Sequence, residues 1–218
     1  MENLPLLVAN FKANKTWDET SQWIDNVGPT ANQFAGTIVI CPSMAYVSEA
    51  SQKIKSASWR IKVAAQDISR FEQGAYTGEV TASQIADQVS FTLIGHSERR
   101  QNFGEDDKIL ETKVKNAKAA GIEPIFCVQD ENTMIPEGVQ IVAYEPVFAI
   151  GTGNPDDPTN VKKIATSLKS KGNLTILYGG SVAADNAKSF LQKDLVDGVL
   201  IGQRSAEAQF FLEILKSF

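Results

Sequence analysis

Side chains suited to proton-transfer chemistry lie at the ends of three apolar runs in this sequence. Asn10 and Lys12 lie at the end of the first run, LPLLVANF. His96, the only histidine, ends FTLIGH, and Glu145 ends QIVAYE. A glutamate can abstract a proton next to a carbonyl, a neutral imidazole can donate to the oxygens of the resulting enediolate, and a lysine can stabilise its negative charge. Each residue alone has an ordinary structural explanation, but their shared position at run ends favours one site.

Glycine-bearing segments follow three of the later runs. They are GTG at 151–153, GGS at 179–181 and IGQ at 201–203. Their backbone N–H groups can bind a phosphate, and many α/β barrels hold a phosphate in the loops after the seventh and eighth strands. No cluster of His, Cys, Asp and Glu has the spacing of metal ligands, so the sequence predicts chemistry without a metal.

Eight short apolar runs would position these groups. In order along the chain they are LPLLVANF, TIVIC, IKVAAQ, FTLIGH, EPIFCV, QIVAYE, LTILYG and GVLIG. They are nearly continuous Val, Ile, Leu and Ala rather than alternating, as expected for parallel strands that are covered on both faces. The runs therefore predict a buried parallel sheet.

Helical signals follow most of these runs. They are capping boxes at Thr16–Glu19 and Thr81–Gln84, a periodic stretch over 106–120 that ends at Gly121, and further helices over 159–171 and 205–218. Eight strands interleaved with helices predict an α/β protein, a (β/α)8 barrel in one domain over residues 1–218. A doubly wound open sheet is the alternative.

The connection between the fifth and sixth runs differs from the others. Its twelve residues, QDENTMIPEGVQ at 129–140, include Pro136 and Gly138, which are poor in a helix interior. Twelve residues can extend to roughly 40 Å, whereas a five-residue strand is about 17 Å long, so the chain can return without a helix. We therefore expect seven full helices around eight strands. The outer faces of strands five and six would be thinly covered, which favours burial against another subunit.

Composition limits the possible partners and the compartment. The formal net charge is −5 and the pI about 5.0, which argues against nucleic acid or an acidic membrane as partner. Cys41 and Cys127 lie inside apolar runs, which indicates buried free thiols rather than a disulfide framework. Free thiols are typical of proteins in a reducing compartment. The start, MENLPLLVANFK, resembles neither a signal peptide nor a membrane span, and no other apolar run approaches the ~18 residues that a span needs. We expect a soluble cytoplasmic protein.

Five motifs in this chain resemble those of one enzyme family. AYEPVFAIGTG, IGHSERR, YGGSV, NFK, and AQDIS with GAYTGE are similar to triosephosphate isomerase motifs, in the order and spacing of that family over essentially the whole chain. AYEPV followed by AIGTG is the most specific of them. The resemblance implies interconversion of dihydroxyacetone phosphate and D-glyceraldehyde 3-phosphate in glycolysis and gluconeogenesis, without a cofactor.

The same resemblance implies roles for individual residues. Glu145 would be the base, His96 the electrophile that moves protons between the two oxygens, and Lys12 the electrostatic stabiliser. In this family a helix N-terminus keeps the imidazole neutral, which the SERRQNF segment after His96 could supply. Asn10 would orient the substrate. The phosphate would be bound by the backbone N–H groups of Gly151, Ser181, Gly202 and Gln203.

The stretch PVFAIGTGN is interpreted as a lid, whose closure would exclude water and protect the enediolate. Its residues are Pro146, Val147, Phe148, Ala149, Ile150, Gly151, Thr152, Gly153 and Asn154. By resemblance, Tyr178 and Ser181 would hold the closed lid. Glu98, Arg99 and Cys127 are expected to support the site structurally.

The segment DISRFEQGAYTGEV, before the Thr81 helix, would expose Phe71 and Tyr76. In the family the equivalent loop docks into a neighbouring subunit, and Thr77 would reach that subunit's active site. The resemblance implies a homodimer at least. Short family members with a reduced region between strands five and six tend to associate further, so a tetramer is a second hypothesis.

The chain departs from the family pattern at three places. Phe148 replaces the usual tryptophan, the loop after the eighth strand contains Gln203 and Arg204, and Gln129-Asp130 replaces Gly-Glu. A side chain at Gln203 is tolerated if its φ is negative. Two other functions remain open from the sequence: an isomerase of a larger sugar phosphate, and a non-catalytic barrel that serves as a scaffold or binds a phosphate ligand.

Overall fold

Eight parallel strands form a closed barrel in the order β1 to β8, and β8 pairs back with β1. The computed structural model describes residues 4–149, 151–191 and 195–217. The strands are β1 Leu6–Asn10, β2 Thr37–Cys41, β3 Ile61–Ala65, β4 Phe91–Ile94, β5 Glu123–Val128, β6 Ile141–Tyr144, β7 Thr175–Tyr178 and β8 Gly198–Ile201. The predicted (β/α)8 barrel is confirmed, and the open-sheet alternative is wrong.

Helices follow seven of the eight strands. They are α1 Trp17–Ala31, α2 Val47–Ser56, α3 Ala82–Ile85, α4 Ser97–Phe103, α5 Asp107–Ala119, α6 Pro158–Lys169, α7 Ala184–Phe190 and α8 Ala208–Lys216. Short 3₁₀ turns lie at Met44–Tyr46, Val147–Ala149 and Gln203–Ala206. The count of seven full helices is wrong in detail, because α3 has four residues and β4 is followed by both α4 and α5. In the part of the chain that the structure describes, no helix is long and apolar enough to cross a membrane.

The helix starts follow the predicted capping signals. The backbone N–H of Thr16 donates to Glu19 Oε2 at 2.7 Å, and the N–H of Thr81 donates to Gln84 Oε1 at 2.9 Å. These bonds satisfy N–H groups that a helix start otherwise leaves unpaired. After α5 the chain turns at Gly121, whose φ of +74° suits a residue without a side chain.

The core has two layers that follow from the alternation of strand side chains. One set of strand residues fills the barrel, including Val8, Leu93 and Leu177, each fully buried. The other set packs against the helices, where Trp23 contacts Phe211 with ring centroids 5.2 Å apart. Full burial of each such side chain contributes about 1.5–3 kcal/mol, which makes the barrel a rigid support for its strand ends.

The connection between β5 and β6, here called the link, comprises residues 129–140. All of them are described and none is helical, so the predicted loss of this helix is confirmed. Asp130 Oδ1 accepts the N–H groups of Asn132 at 2.8 Å and Thr133 at 2.9 Å, which folds the link on itself. The expected thin cover is wrong, because every residue of β6 is buried; within the link, Val139 belongs to the core and Ile135 packs against it.

Candidate active site

A small cavity lies at the carboxyl ends of the strands, where α/β barrels carry their working residues. It brings together the predicted Asn10, Lys12, His96, Glu145, Gly151 and Gly202. Gly179 and Gly180 of the predicted GGS segment also line it, together with Leu200, which the sequence did not single out. Ser181 and Gln203 lie next in sequence to lining glycines but are not part of the lining themselves.

Glu145 follows β6 directly and is 1% exposed. Its Oε2 atom accepts the N–H of Ser97 at 3.0 Å, and its Oε1 atom lies 3.1 Å from His96 Nε2. Burial raises the pKa of Glu145 above its ordinary value, against the opposing effects of the imidazole and the Ser97 N–H. Burial therefore makes this carboxyl group easier to protonate than a surface glutamate.

His96 lies immediately before α4, and its ring accepts a backbone hydrogen bond. The N–H of Glu98 donates to His96 Nδ1 at 3.2 Å. A nitrogen that accepts an N–H carries no proton of its own, so the neutral ring has its hydrogen on Nε2. That N–H points towards Glu145 and the cavity. Sequence reasoning expected the SERRQNF segment to direct N–H groups at this ring, and the geometry agrees.

Lys12 adopts an unusual backbone conformation for a residue with a side chain. Its φ is +53°, a left-handed conformation that costs roughly 1–2 kcal/mol. Its N–H donates to Asn10 Oδ1 at 3.0 Å, and its carbonyl oxygen accepts Gln66 Nε2 at 2.8 Å. These bonds hold the strained turn, and the Nζ atom ion-pairs with Glu98. The strained conformation directs the Lys12 ammonium group into the cavity. Strained backbone conformations often occur at functional sites.

Arg99 and Cys127, which were expected to support the site structurally, lie in different places. Arg99 ion-pairs with Glu105 at 2.6 Å and Asp67 at 2.9 Å, away from the cavity lining. Cys127 is fully buried next to the Glu145 carboxylate, and burial raises the pKa of its thiol, so the thiol stays protonated. The protonated thiol can then donate to Glu145.

Arg100 supports the site in a way that sequence reasoning missed. Its guanidinium donates to the Gly95 carbonyl at 2.9 Å and to the Cys127 carbonyl at 3.3 Å. It therefore joins the end of β5 to the turn that carries His96. The signal was its place in IGHSERR, but the sequence alone does not show which arginine of the pair faces inward.

The lid segment contains a 3₁₀ turn at 147–149, where Val147 is 47% and Phe148 65% exposed. Ser181 Oγ donates to the Ala149 carbonyl at 2.7 Å and accepts the Gly153 N–H at 3.1 Å. Tyr178 lies nearby as well: its hydroxyl oxygen accepts an N–H just beyond Gly153, at residue 156.

These contacts join the lid to the loop after β7, although the role of Tyr178 and Ser181 in holding it closed stays a prediction. Ile150 lies outside the described residues. Pro146 begins the lid, and the Ala149 N–H donates back to its carbonyl at 2.8 Å. Thr152 Oγ1 accepts the Asn154 N–H at 3.1 Å, which folds the second half of the lid on itself.

The glycines after β7 are required by space. A side chain at Gly179 would lie 2.9 Å from the Cγ atom of Glu145, and one at Gly180 would lie 2.1 Å from the Tyr178 hydroxyl oxygen. Neither position tolerates a Cβ atom without movement of a neighbour. The GGS loop therefore keeps room for the carboxylate as well as offering backbone N–H groups.

The loop after β8 accommodates its unusual residues. Gln203 begins a 3₁₀ turn and is not among the residues with positive φ, so its side chain causes no backbone strain. Arg204 stacks over Phe210 with its guanidinium carbon 3.8 Å from the ring centroid. The guanidinium is thus engaged on α8.

The loop expected to contact another subunit is ordered within the chain itself. Phe71 and Tyr76 stack with their ring centroids 3.9 Å apart, and Tyr76 is 44% exposed. Thr77 is exposed beside them. The N–H of Ser69 donates to the Val80 carbonyl at 2.8 Å and closes the base of the loop. The loop therefore presents an aromatic surface to its surroundings.

Comparison with known proteins agrees with this geometry. The sequence profile of the triosephosphate isomerase family matches residues 5–218. Similar relatives include the triosephosphate isomerases of Geotalea uraniireducens, 35% identical over 97% of this chain and 98% of the relative, and of Alcanivorax borkumensis, 34% identical over 100% and 99%.

The triosephosphate isomerase of Endomicrobium trichonymphae is 32% identical over 97% of this chain and 98% of the relative. These alignments span 246 to 250 positions, more than the 218 residues of this chain, so the relatives contain segments that this chain lacks. In the residues that the structure describes, no group of three or more His, Cys, Asp and Glu could hold a metal ion. The match over nearly the whole length shows that the chain belongs to the triosephosphate isomerase family.

Proposed function

We propose that this chain interconverts dihydroxyacetone phosphate and D-glyceraldehyde 3-phosphate without a cofactor, as an enzyme of glycolysis and gluconeogenesis. The observation that carries the proposal is the contact between Glu145 Oε1 and His96 Nε2 at 3.1 Å, in a cavity that Lys12 also lines. Formation of an enediolate requires a base that removes the proton, and the intermediate is stabilised by a neutral hydrogen-bond donor and a cation. All three groups line this cavity.

In the proposed reaction, Glu145 takes a proton from the carbon next to the substrate carbonyl. The electron pair of that C–H bond forms a carbon–carbon double bond, the π pair of the carbonyl moves to its oxygen, and Lys12 stabilises the resulting negative charge. The Nε2–H of His96 donates to one oxygen and the ring then accepts a proton from the other. Glu145 returns its proton to the neighbouring carbon, which completes the exchange of aldehyde and ketone.

Substrate binding would rearrange the contacts between Glu145, His96 and Ser97. The Nε2–H of His96 cannot serve both Glu145 and a substrate oxygen, so the incoming carbonyl replaces the carboxylate as its acceptor. Glu145 then turns towards the substrate carbon, and loss of the bond to the Ser97 N–H makes the carboxylate more basic. Asn10 would orient the substrate from β1.

The phosphate would be bound by backbone N–H groups after three strands. We propose those of Gly151, Ser181, Gly202 and Gln203, which lie in or next to the cavity lining. The lid over residues 146–154 would close on the bound phosphate, exclude water and protect the enediolate. Tyr178 and Ser181 would hold it there through the contacts described above.

We also propose a cytoplasmic protein that acts as one domain and as at least a homodimer, with no nucleic-acid or membrane partner. The stacked Phe71–Tyr76 pair, in which Tyr76 is exposed and Phe71 is only partly buried, supports a dimer in which Thr77 would approach the partner's site. Burial of the β5 and β6 side chains removes one reason for a tetramer, although Met134 remains 48% exposed on the link. A sedimentation mass at micromolar concentration separates the dimer from the tetramer.

Turnover of D-glyceraldehyde 3-phosphate, followed with a coupled dehydrogenase, tests the proposed reaction. Larger phosphorylated sugars are assayed beside it. We expect fast conversion of the triose phosphate and little of the larger sugars, because the cavity is small and the lid segment is short. Preference for a larger sugar phosphate would favour the alternative isomerase, and binding without turnover would favour the non-catalytic barrel.

A further inference from the structure

A buried carboxylate lies at the far end of the lid segment. Asp156 is 6% exposed. Its Oδ2 atom accepts the Tyr144 hydroxyl at 3.0 Å and the Asn160 side-chain amide at 2.8 Å, and its Oδ1 atom accepts the Asp157 N–H at 2.8 Å. Its own N–H donates to the Tyr178 hydroxyl oxygen at 2.7 Å. Both carboxylate oxygens and the backbone N–H are therefore engaged, as burial requires.

Two neighbouring strand ends converge on this residue. Tyr144 ends β6 and Tyr178 ends β7, and the two are paired in register, with ring centroids 6.3 Å apart. Burial raises the pKa of Tyr144 and raises the pKa of Tyr178 to about 12, so both hydroxyls keep their protons. One hydroxyl donates to the carboxylate and the other accepts from the backbone N–H.

The same strand end also carries the proposed base. Successive strand residues point to opposite faces, so Tyr144 packs between the barrel and the helices while Glu145 faces the cavity. The bond from Tyr144 to Asp156 thus links the strand end that precedes the lid to the part of the chain just beyond the lid. Both ends of the lid are therefore held next to the C-terminal end of β6.

Helix capping does not explain Asp156. The N-cap of α6 is Asp157, whose side chain accepts the Thr159 N–H at 2.7 Å. Asp156 instead directs its Oδ2 atom back to β6, and Asn160 on the first turn of α6 donates to that same atom. Its side chain therefore holds the lid end to the barrel wall.

We infer that Asp156 is a positioning residue for the isomerisation: by accepting the Tyr144 hydroxyl, it fixes the C-terminal end of the lid against the strand that carries Glu145. The inference rests on the function proposed above. With this end fixed, the segment around Gly153 is already placed beside Ser181, and closure needs movement of fewer residues. Loss of the bond would lower the fraction of time that the lid is closed.

The side reaction of the intermediate reports directly on closure. When the lid does not hold the phosphate, the electron pair of the enediolate can form a new double bond and expel inorganic phosphate as the C–O bond breaks. The remaining three-carbon enol then becomes methylglyoxal. Phosphate released per isomerisation therefore measures lid closure, and a purely structural role would not change it.

The test uses the full chain and the variants Tyr144→Phe and Asp156→Ala. Tyr144→Phe keeps the ring and removes only the hydroxyl. We expect both variants to lower kcat by about tenfold, because that is the effect of losing one buried hydrogen bond. We expect phosphate release per turnover to rise by a similar factor. Circular dichroism and thermal unfolding establish that each variant is folded.

Two matched controls separate positioning from stability. Tyr46→Phe removes a hydroxyl from a ring that packs on Trp17, in the segment after β2. Asp157→Ala removes the α6 N-cap next to Asp156 and should lower the melting temperature without changing phosphate release per turnover. Release at the wild-type level in folded Tyr144→Phe and Asp156→Ala would overturn the inference. Absence of isomerisation by the wild type would instead overturn the proposed function on which it rests.

Discussion

The two connections that flank β6 differ in what holds them. The link before it is folded by its own polar groups, through the bonds that Asp130 accepts within the link. The lid segment after it is held by buried groups on other elements, among them Ser181, Tyr178 and Tyr144. A connection that only returns the chain can be shortened, whereas one that places a base and covers a cavity needs contacts with the strands around it.

The comparison predicts that changes on the lid side of β6 affect activity, whereas changes in the link affect stability alone. Glu145→Asp is expected to have the largest effect among the graded changes. Removal of one methylene misplaces the carboxylate by about 1 Å and lowers kcat on the order of 100-fold. Steady-state kinetics with D-glyceraldehyde 3-phosphate measures the loss, and a phosphate ligand should bind nearly as well as before. Full activity in this variant would mean that Glu145 is not the base.

Ser181→Ala tests the contacts between the lid and the loop after β7. It removes one bond to the Ala149 carbonyl and one to the Gly153 N–H. We expect kcat to fall by about tenfold, since one or two hydrogen bonds made mainly in the closed lid are lost. Ser170→Ala, on a hydroxyl that bonds only within the end of α6, is the matched control. Equal kinetics for the two variants would show that this contact does not control the lid.

Stability should depend on the ionisation of Glu145. Its pKa is raised above 4.5, so folding favours the protonated form, and that stabilisation is lost as pH rises through the folded-state pKa. Glu145→Gln should therefore gain melting temperature relative to the wild type between pH 4 and pH 8. We expect a gain of a few degrees, because 1 kcal/mol shifts the melting temperature of a chain this size by about 2–4 °C.

The pH dependence of this difference is the relevant quantity, since glutamine also changes the contact with His96 Nε2. A difference that stays constant from pH 4 to pH 8 would show that burial does not raise the pKa of Glu145. Calorimetric scans in matched buffers at several pH values give the comparison.

Gly138→Ala, in the link, should have the smallest effect on activity. Gly138 has a φ of +86°, and an added side chain there would meet only Lys118 Cγ at 4.0 Å. The substitution should cost about 1 kcal/mol of unfolding free energy through backbone strain and leave kcat unchanged. Denaturant unfolding and steady-state kinetics check both parts. A clear loss of kcat would mean that the link communicates with the site, and the contrast between the two connections would fail.

The sequence was sufficient for the barrel and for the position of its missing helix. Eight nearly continuous apolar runs require strands covered on both faces, and Pro136 with Gly138 excludes a regular helix between two of them. The four chemical groups Asn10, Lys12, His96 and Glu145 were predictable because strand ends share one face of a parallel barrel. Those four residues do line one cavity.

Other features depend on tertiary contacts that no local pattern encodes. Val139 of the link is buried in the core, which a count of extended residues could not indicate. The structure also selects Arg100 over Arg99 as the brace of the His96 turn. The sequence does not distinguish Asp156 from its neighbour Asp157; only the bond of Asp156 to Tyr144 separates it from the capping Asp157.

Glu145 is proposed above to act as the base of a triose phosphate isomerisation. The most direct test is the rate of D-glyceraldehyde 3-phosphate conversion by the wild type and Glu145→Gln, side by side in a coupled dehydrogenase assay. We predict fast turnover by the wild type and a loss of about 10³-fold or more in a variant that remains folded, since general-base catalysis contributes about 10²–10⁴-fold. No turnover by the folded wild type, or undiminished turnover by the variant, would contradict the account.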